Sequence, residues 1–121
     1  MKFYKCEICG NIITHLANEV GVVSCCGTEV TEINPNVTEA ATEKHLPVYE
    51  KNGNVLTVKV GEVAHPMLET HYITAIAVET NKGEYVKKLI PGEPAVAEFV
   101  INDEEVLGVY EYCNLHGLWK S

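Results

Sequence analysis

The sequence contains no arginine: its nine basic residues are all lysine, and seventeen acidic residues outnumber them to give a formal charge of −8. A nucleic-acid interface needs a basic patch, with guanidinium groups for bidentate contacts to phosphate and guanine. No nucleic-acid partner is therefore expected. Long apolar runs are lacking too: nothing approaches the roughly 18–20 residues that cross a bilayer. The start, Met1-Lys2-Phe3-Tyr4-Lys5-Cys6, lacks the apolar centre of a secretory signal. These features lead us to expect a cytoplasmic protein with no membrane partner. There is no internal repeat, no low-complexity tract and no convincing 3.6-residue apolar period.

What is present is a globular composition, 46% hydrophobic and 21% charged over 121 residues. That length suits one domain, or one domain plus a small metal-stapled module. Two blocks meet near Asn34-Pro35-Asn36. Residues 1–35 hold four of the five cysteines among short apolar stretches such as Asn11-Ile12-Ile13-Thr14 and Val20-Gly21-Val22-Val23. So short a piece cannot bury enough apolar surface and needs a metal or a partner subunit. Residues 36–121 read as β throughout. Over residues 54–60, Leu56, Val58 and Val60 alternate with Val55, Thr57 and Lys59, after a Lys51-Asn52-Gly53-Asn54 hairpin signal. Further strands are expected over 71–79, 84–90, 95–101 and 106–112, separated by turn residues. Short strands at such regular spacing predict an antiparallel sandwich or barrel.

Five cysteines, an odd number in a chain without an export signal, fit a full set of disulfides poorly. Cys6-Glu7-Ile8-Cys9-Gly10 is a C-x2-C corner, and Cys25-Cys26-Gly27 follows fifteen residues later. Backbone N–H groups in such corners point at sulfur, and glycine permits the tight turn. Facing corners supply a tetrahedral four-sulfur site for iron or zinc. Adjacent cysteines on an extended strand point to opposite faces, so both ligate one ion only if the backbone kinks between them. A disulfide between those neighbours would strain their peptide.

A second set comprises His45, His65, His71, Cys113 and His116. On a straight strand His65 and His71 would lie about 20 Å apart, so sharing an ion requires a fold-back, which Pro66 favours. Cys113-Asn114-Leu115-His116 is a C-x2-H pair suited to chelation from a loop. Four imidazoles and one thiolate exceed a closed tetrahedral zinc site and suit iron with one coordination position free. One anionic ligand leaves a ferrous centre net positive, attractive to a small anion. His15 has no such companion and reads as a surface or packing residue.

These motifs together resemble the desulfoferrodoxin class of superoxide reductases. The matching residues are Cys6-x2-Cys9-Gly10, Cys25-Cys26-Gly27, Glu43-Lys44-His45-Leu46-Pro47, His65-Pro66-Met67 with His71, and Cys113-Asn114-Leu115-His116-Gly117-Leu118-Trp119, in family order across nearly the whole chain. The resemblance implies an all-β protein of two domains. Residues 1–35 would be desulforedoxin-like, with Cys6, Cys9, Cys25 and Cys26 around iron, or zinc. Residues 36–121 would be an immunoglobulin-like β-sandwich, with non-haem iron held by His45, His65, His71 and His116 in one plane and Cys113 on the axis. It further implies a cytoplasmic homodimer that reduces superoxide to hydrogen peroxide by one inner-sphere electron, supplied by a rubredoxin-like donor. Glu43 would close the oxidised site, and Lys44 would attract superoxide and order water. A lysine beside the site can draw an anion despite the overall charge, because local field dominates within a Debye length of about 8–10 Å. An electron carrier or metal-binding module with the same ligands, a dismutase, and a zinc-stapled structural protein are the competing readings.

Overall fold

The computed structural model describes residues 1–18 and 21–121. Val20 of the apolar stretch noted above lies outside the described residues. The chain divides into two compact units, Met1–Asn34 and Pro35–Ser121.

The first unit is two small ribbons. β1 (Phe3–Lys5) pairs antiparallel with β2 (Ile12–Thr14), and β3 (Ser24–Cys25) pairs with β4 (Thr28–Glu29). The β3–β4 turn is Cys26-Gly27, with φ of 52° and 71°. Positive φ at both central residues is the type I′ pattern, whose twist matches a tight hairpin. It is also the kink that two neighbouring cysteines need. Among the described residues, Tyr4, Cys6 and Val30 form a buried cluster, with Ile13, Val23 and Cys25 packed against it.

The second unit is an immunoglobulin-like antiparallel sandwich. After a single helical turn, α1 (Thr42–His45), come β5 (Pro47–Asn52), β6 (Val55–Val60), β7 (Ile73–Thr80), β8 (Glu84–Lys88), β9 (Val96–Val100), β10 (Val106–Cys113) and β11 (Gly117–Lys120). One sheet runs β11-β10-β7-β8 and the other β5-β6-β9. Alternation decides which side chains meet between them: Leu56, Val58 and Val60 of β6 join Ile76, Val78, Phe99, Val109 and Cys113 in one core. The all-β class read from the sequence holds. Among the described residues no helix is long and apolar enough to cross a membrane.

Two elements differ from expectation. The stretch before the first expected strand is itself a strand, β5, registered from Pro47↔Val60 to Asn52↔Val55. Its turn is therefore Gly53-Asn54, with Gly53 at φ 60°. β5 is an edge strand whose residues 49–52 are exposed, so its sequence carries little apolar alternation. The strand expected from residue 71 begins at Ile73, because His71 belongs to a tight turn. In that turn Leu68 and His71 exchange two backbone hydrogen bonds of 2.9 and 3.1 Å. The required fold-back thus lies just beyond Pro66.

Candidate metal centres

In the first unit the sulfurs of Cys6, Cys9, Cys25 and Cys26 all lie within 4.8 Å of one another. The Sγ atoms of Cys9 and Cys25 are 3.6 Å apart, and those of Cys25 and Cys26 are 4.0 Å apart. A tetrahedron with metal–sulfur bonds of about 2.3 Å has edges of about 3.8 Å, so these separations fit one tetrahedral ion. All five cysteines of the chain are free thiols. The backbone N–H of Cys9 holds the Cys6 thiol down at about 7, while sharing protons with Cys9 and its other neighbours pushes Cys26 up to about 12. Four thiols this close cannot all ionise unless a cation compensates them. The Asn11 amide also reaches Cys25 Sγ, at 3.7 Å.

In the second unit four imidazoles form a square. Going round, the ring centroids of His45–His65, His65–His71, His71–His116 and His116–His45 are 4.7, 4.7, 5.1 and 4.8 Å apart. The diagonal His45–His71 is longer, 6.4 Å, and neighbouring rings stand nearly perpendicular. Cys113 Sγ approaches two opposite corners, 3.6 Å from His65 Nε2 and 4.0 Å from His116 Nδ1. A fifth donor that reaches opposite corners of a square lies over its middle.

The outer nitrogens show which atoms face inward. His45 Nδ1 is 2.8 Å from the Ala41 carbonyl, and His65 Nδ1 is 2.7 Å from the Pro66 carbonyl. Both Nδ1 atoms therefore carry the proton, and both Nε2 atoms present lone pairs. Those Nε2 atoms are 3.2 Å apart with no proton to share, a repulsion that a cation turns into two bonds. His116 turns its Nδ1 to the same point, 3.0 Å from His45 Nε2. His71 Nε2 is buried with no hydrogen-bond partner. Burial, ahead of the other rings' charges, lowers the basicity of His45 and His71 and takes His65 down to about 4, so these three imidazoles are neutral ligands at neutral pH. Burial raises the Cys113 thiol, opposed by the backbone N–H groups of His116 and Leu115. The donor set fits a metal ion, and a bound cation would overcome that rise.

α1 puts Glu43 and Lys44, both exposed, directly before buried His45. The Lys44 charge is felt at His45 and His71, where it disfavours a second positive charge. His15 stands outside the sulfur set of its own unit, edge-on to Tyr4 with its Nε2 3.3 Å from the phenol oxygen.

Sequence reasoning assigned no role to three residues that shape the second cluster. Trp119 stacks on His45 and donates its Nε1–H to the His116 carbonyl at 3.1 Å. Asn114 accepts from the Tyr72 amide at 2.8 Å and donates to the Thr70 carbonyl at 3.1 Å, joining the turn that bears His71 to the one that bears Cys113. Gly61 closes a turn against α1. The Trp and Asn were visible within the Cys113 motif, whereas nothing in the sequence marks Gly61.

Comparison with known proteins gives consistent matches along the chain. The family model described as desulfoferrodoxin matches residues 37–121, and that of the desulfoferrodoxin N-terminal domain matches residues 1–33. A desulfoferrodoxin of Syntrophotalea carbinolica is 46% identical over 121 residues, covering 100% of this chain and 95% of that protein. One from Nitratidesulfovibrio vulgaris is 43% identical over 120 residues, covering 99% and 94%. Among solved structures, the superoxide reductase of Treponema pallidum superposes with a TM-score of 0.83 at 35% identity, covering 99% of this chain and 97% of that one.

Proposed function

The chain belongs to the desulfoferrodoxin family, and from that we infer that it is a superoxide reductase whose chemistry is centred on the square of imidazoles capped by Cys113. The observation that carries this reading is the convergence of five neutral or ionisable donors, three Nε2, one Nδ1 and one Sγ, on one point. We assign iron to that point, held by His45, His65, His71, His116 and Cys113. Iron there would supply one electron and one coordination position beyond the five protein donors. The second assignment is a metal in Cys6, Cys9, Cys25 and Cys26, iron or zinc, so that residues 1–35 act as the desulforedoxin-like domain and residues 36–121 as the reductase domain.

The chain's own groups account for the remaining requirements. The reaction O2•− + e⁻ + 2H⁺ → H2O2 needs an anion brought to the site, protons delivered there and ligands that stay in place. Lys44 Nζ supplies local positive potential within a chain of charge −8. The same ammonium orders the water that brings the protons, and Glu43 covers the site once the electron has left. The Ala41 and Pro66 carbonyls fix the His45 and His65 tautomers, so both rings keep their Nε2 lone pairs turned to the proposed metal position. A rubredoxin-like donor, a homodimeric state and a cytoplasmic setting complete the proposal. Family membership supports the first two, and five free thiols suit a reducing compartment.

The test is stoichiometric. With an external reductant and pulsed superoxide, the iron-loaded protein should form one peroxide per superoxide and no dioxygen, with reductant consumed in step. Dioxygen evolution without reductant would make it a dismutase, and inertness towards superoxide would leave an electron carrier. Cys113→Ser should keep the fold, since the change is nearly isosteric, and lose turnover; a fully active variant would remove Cys113 from the donor set.

A further inference from the structure

The turn after β6 is closed against the backbone of α1. Gly61 is buried at φ 78°, and its amide donates to the Leu46 carbonyl at 3.2 Å. Two residues on, the Val63 amide donates to the Glu43 carbonyl at 3.0 Å. A Cβ on Gly61 would lie 2.6 Å from the carbonyl oxygens of Glu43 and Val63 and 2.7 Å from the carbonyl carbon of Lys44. These are backbone atoms, so no side-chain rotation relieves the contact, and a left-handed φ is itself unfavourable for an L residue.

We propose that Gly61 is a positioning residue for the Glu43–Lys44 pair: its bare backbone lets the turn seat against the peptide that joins them and fixes where both side chains start from beside the imidazole square. The proposal rests on the reading of Glu43 and Lys44 given above. Any side chain at this position drives that peptide away from the turn and takes the lysine charge with it. The rest of the unit has no reason to follow. The β5–β6 ladder ends at Pro47↔Val60, one residue before Gly61. His45, though on the same helical turn, is also held from outside it by the stacked indole of Trp119. We expect displacement to fall on the exposed attracting group ahead of the ligand that the indole anchors.

The experiment compares Gly61→Ala, Lys44→Ala and the double variant as iron-loaded full-length proteins. It measures iron per chain and the second-order rate with superoxide across ionic strength. Gly61→Ala should keep wild-type iron content, slow the reaction about tenfold, the lower end of an electrostatic steering effect, and flatten its salt dependence. Added to Lys44→Ala, it should cost nothing more, because both changes remove the same contribution. Wild-type rate and salt dependence in Gly61→Ala would overturn the proposal, as would effects that multiply in the double variant or loss of iron from the imidazole site. Should Gly61→Ala fail to fold, hydrogen exchange of the Val63 amide in the wild-type protein decides. Protection is expected from its bond to Glu43, and exchange at the rate of a free amide would overturn the seat. A Lys44→Ala protein as fast and as salt-sensitive as wild type would fault the role of Lys44. A slow Lys44→Ala beside a fast Gly61→Ala would fault Gly61 alone.

Discussion

The indole of Trp119 lies almost parallel to the imidazole of His45, with centroids 5.1 Å apart and planes inclined by 25°. Trp119 is 4% exposed and is the single tryptophan of the chain. It touches the proposed centre twice, through the His45 ring and through the His116 carbonyl. The neighbouring square and the stack hold each other in register: losing the indole leaves His45 free to tilt about its bond to Ala41.

The only indole emission of this protein should therefore report on the imidazole centre. Adding ferrous iron to metal-free protein should quench it, through transfer to an ion one ring away. The quench should persist in Cys9→Ser, which breaks the four-sulfur set, and vanish in His65→Ala. Emission indifferent to iron, or quenching lost in Cys9→Ser instead, would contradict the assignment. Trp119→Ala should also lower the stability of the second unit by about 3–5 kcal/mol, the usual cost of a large aromatic truncated in a core, with Trp119→Phe losing less.

How much of this was readable beforehand depends on what each residue answers to. The alternation of Leu56, Val58 and Val60 answers to one face of one strand, and it was legible. So were the two donor sets, because thiols and imidazoles at chelating spacing are rare for any other reason. β5 was not, since Tyr49, Glu50, Lys51 and Asn52 sit on an exposed edge and carry no burial signal. His71 was named, but its tight turn with Leu68 rests on backbone hydrogen bonds that no side chain announces. Gly61 is the extreme case: its place is set by α1, which lies more than a dozen residues earlier, and one glycine among nine reveals no such partner.

Among its described residues the first unit buries four apolar side chains, Phe3, Tyr4, Cys6 and Val30. A core that small does not offset the conformational entropy of some thirty residues, so the ion in the sulfur set is expected to be a condition of folding. Cys9→Ser, or a strong chelator, should therefore abolish amide protection across Met1–Asn34 and leave Pro35–Ser121 with its own cooperative transition. Protection that survives in residues 1–34 after complete metal removal would show that the apolar cluster and ribbons suffice.

Glu111 supplies a sharper test of what the sandwich tolerates. It is 1% exposed on the core face of β10, opposite Ile76 and Trp119, and neither carboxyl oxygen has a hydrogen-bond partner. Burial pushes its carboxyl up to about 9, so in metal-free protein it is protonated at neutral pH. On unfolding it returns to its ordinary 4.5 and releases the proton anywhere between those two values. The native state then binds more protons than the unfolded one, and stability falls as pH rises through that window. His65 works in the opposite sense on the acid side. Held at about 4 against an ordinary 6.5, it withdraws stability as pH falls across that range and is silent above it. The Cys113 thiol, which burial also raises, withdraws stability in the same sense only as pH nears 9. The interval from pH 7 to 8 is therefore dominated by Glu111, and at about 1.4 kcal/mol per pH unit the metal-free second unit should lose on the order of 1 kcal/mol across it. Glu111→Gln keeps the shape and cannot ionise, so its urea midpoint should stay level over the same interval. A wild-type midpoint equally level from pH 7 to 8 would mean that Glu111 is ionised in the fold or finds a partner there.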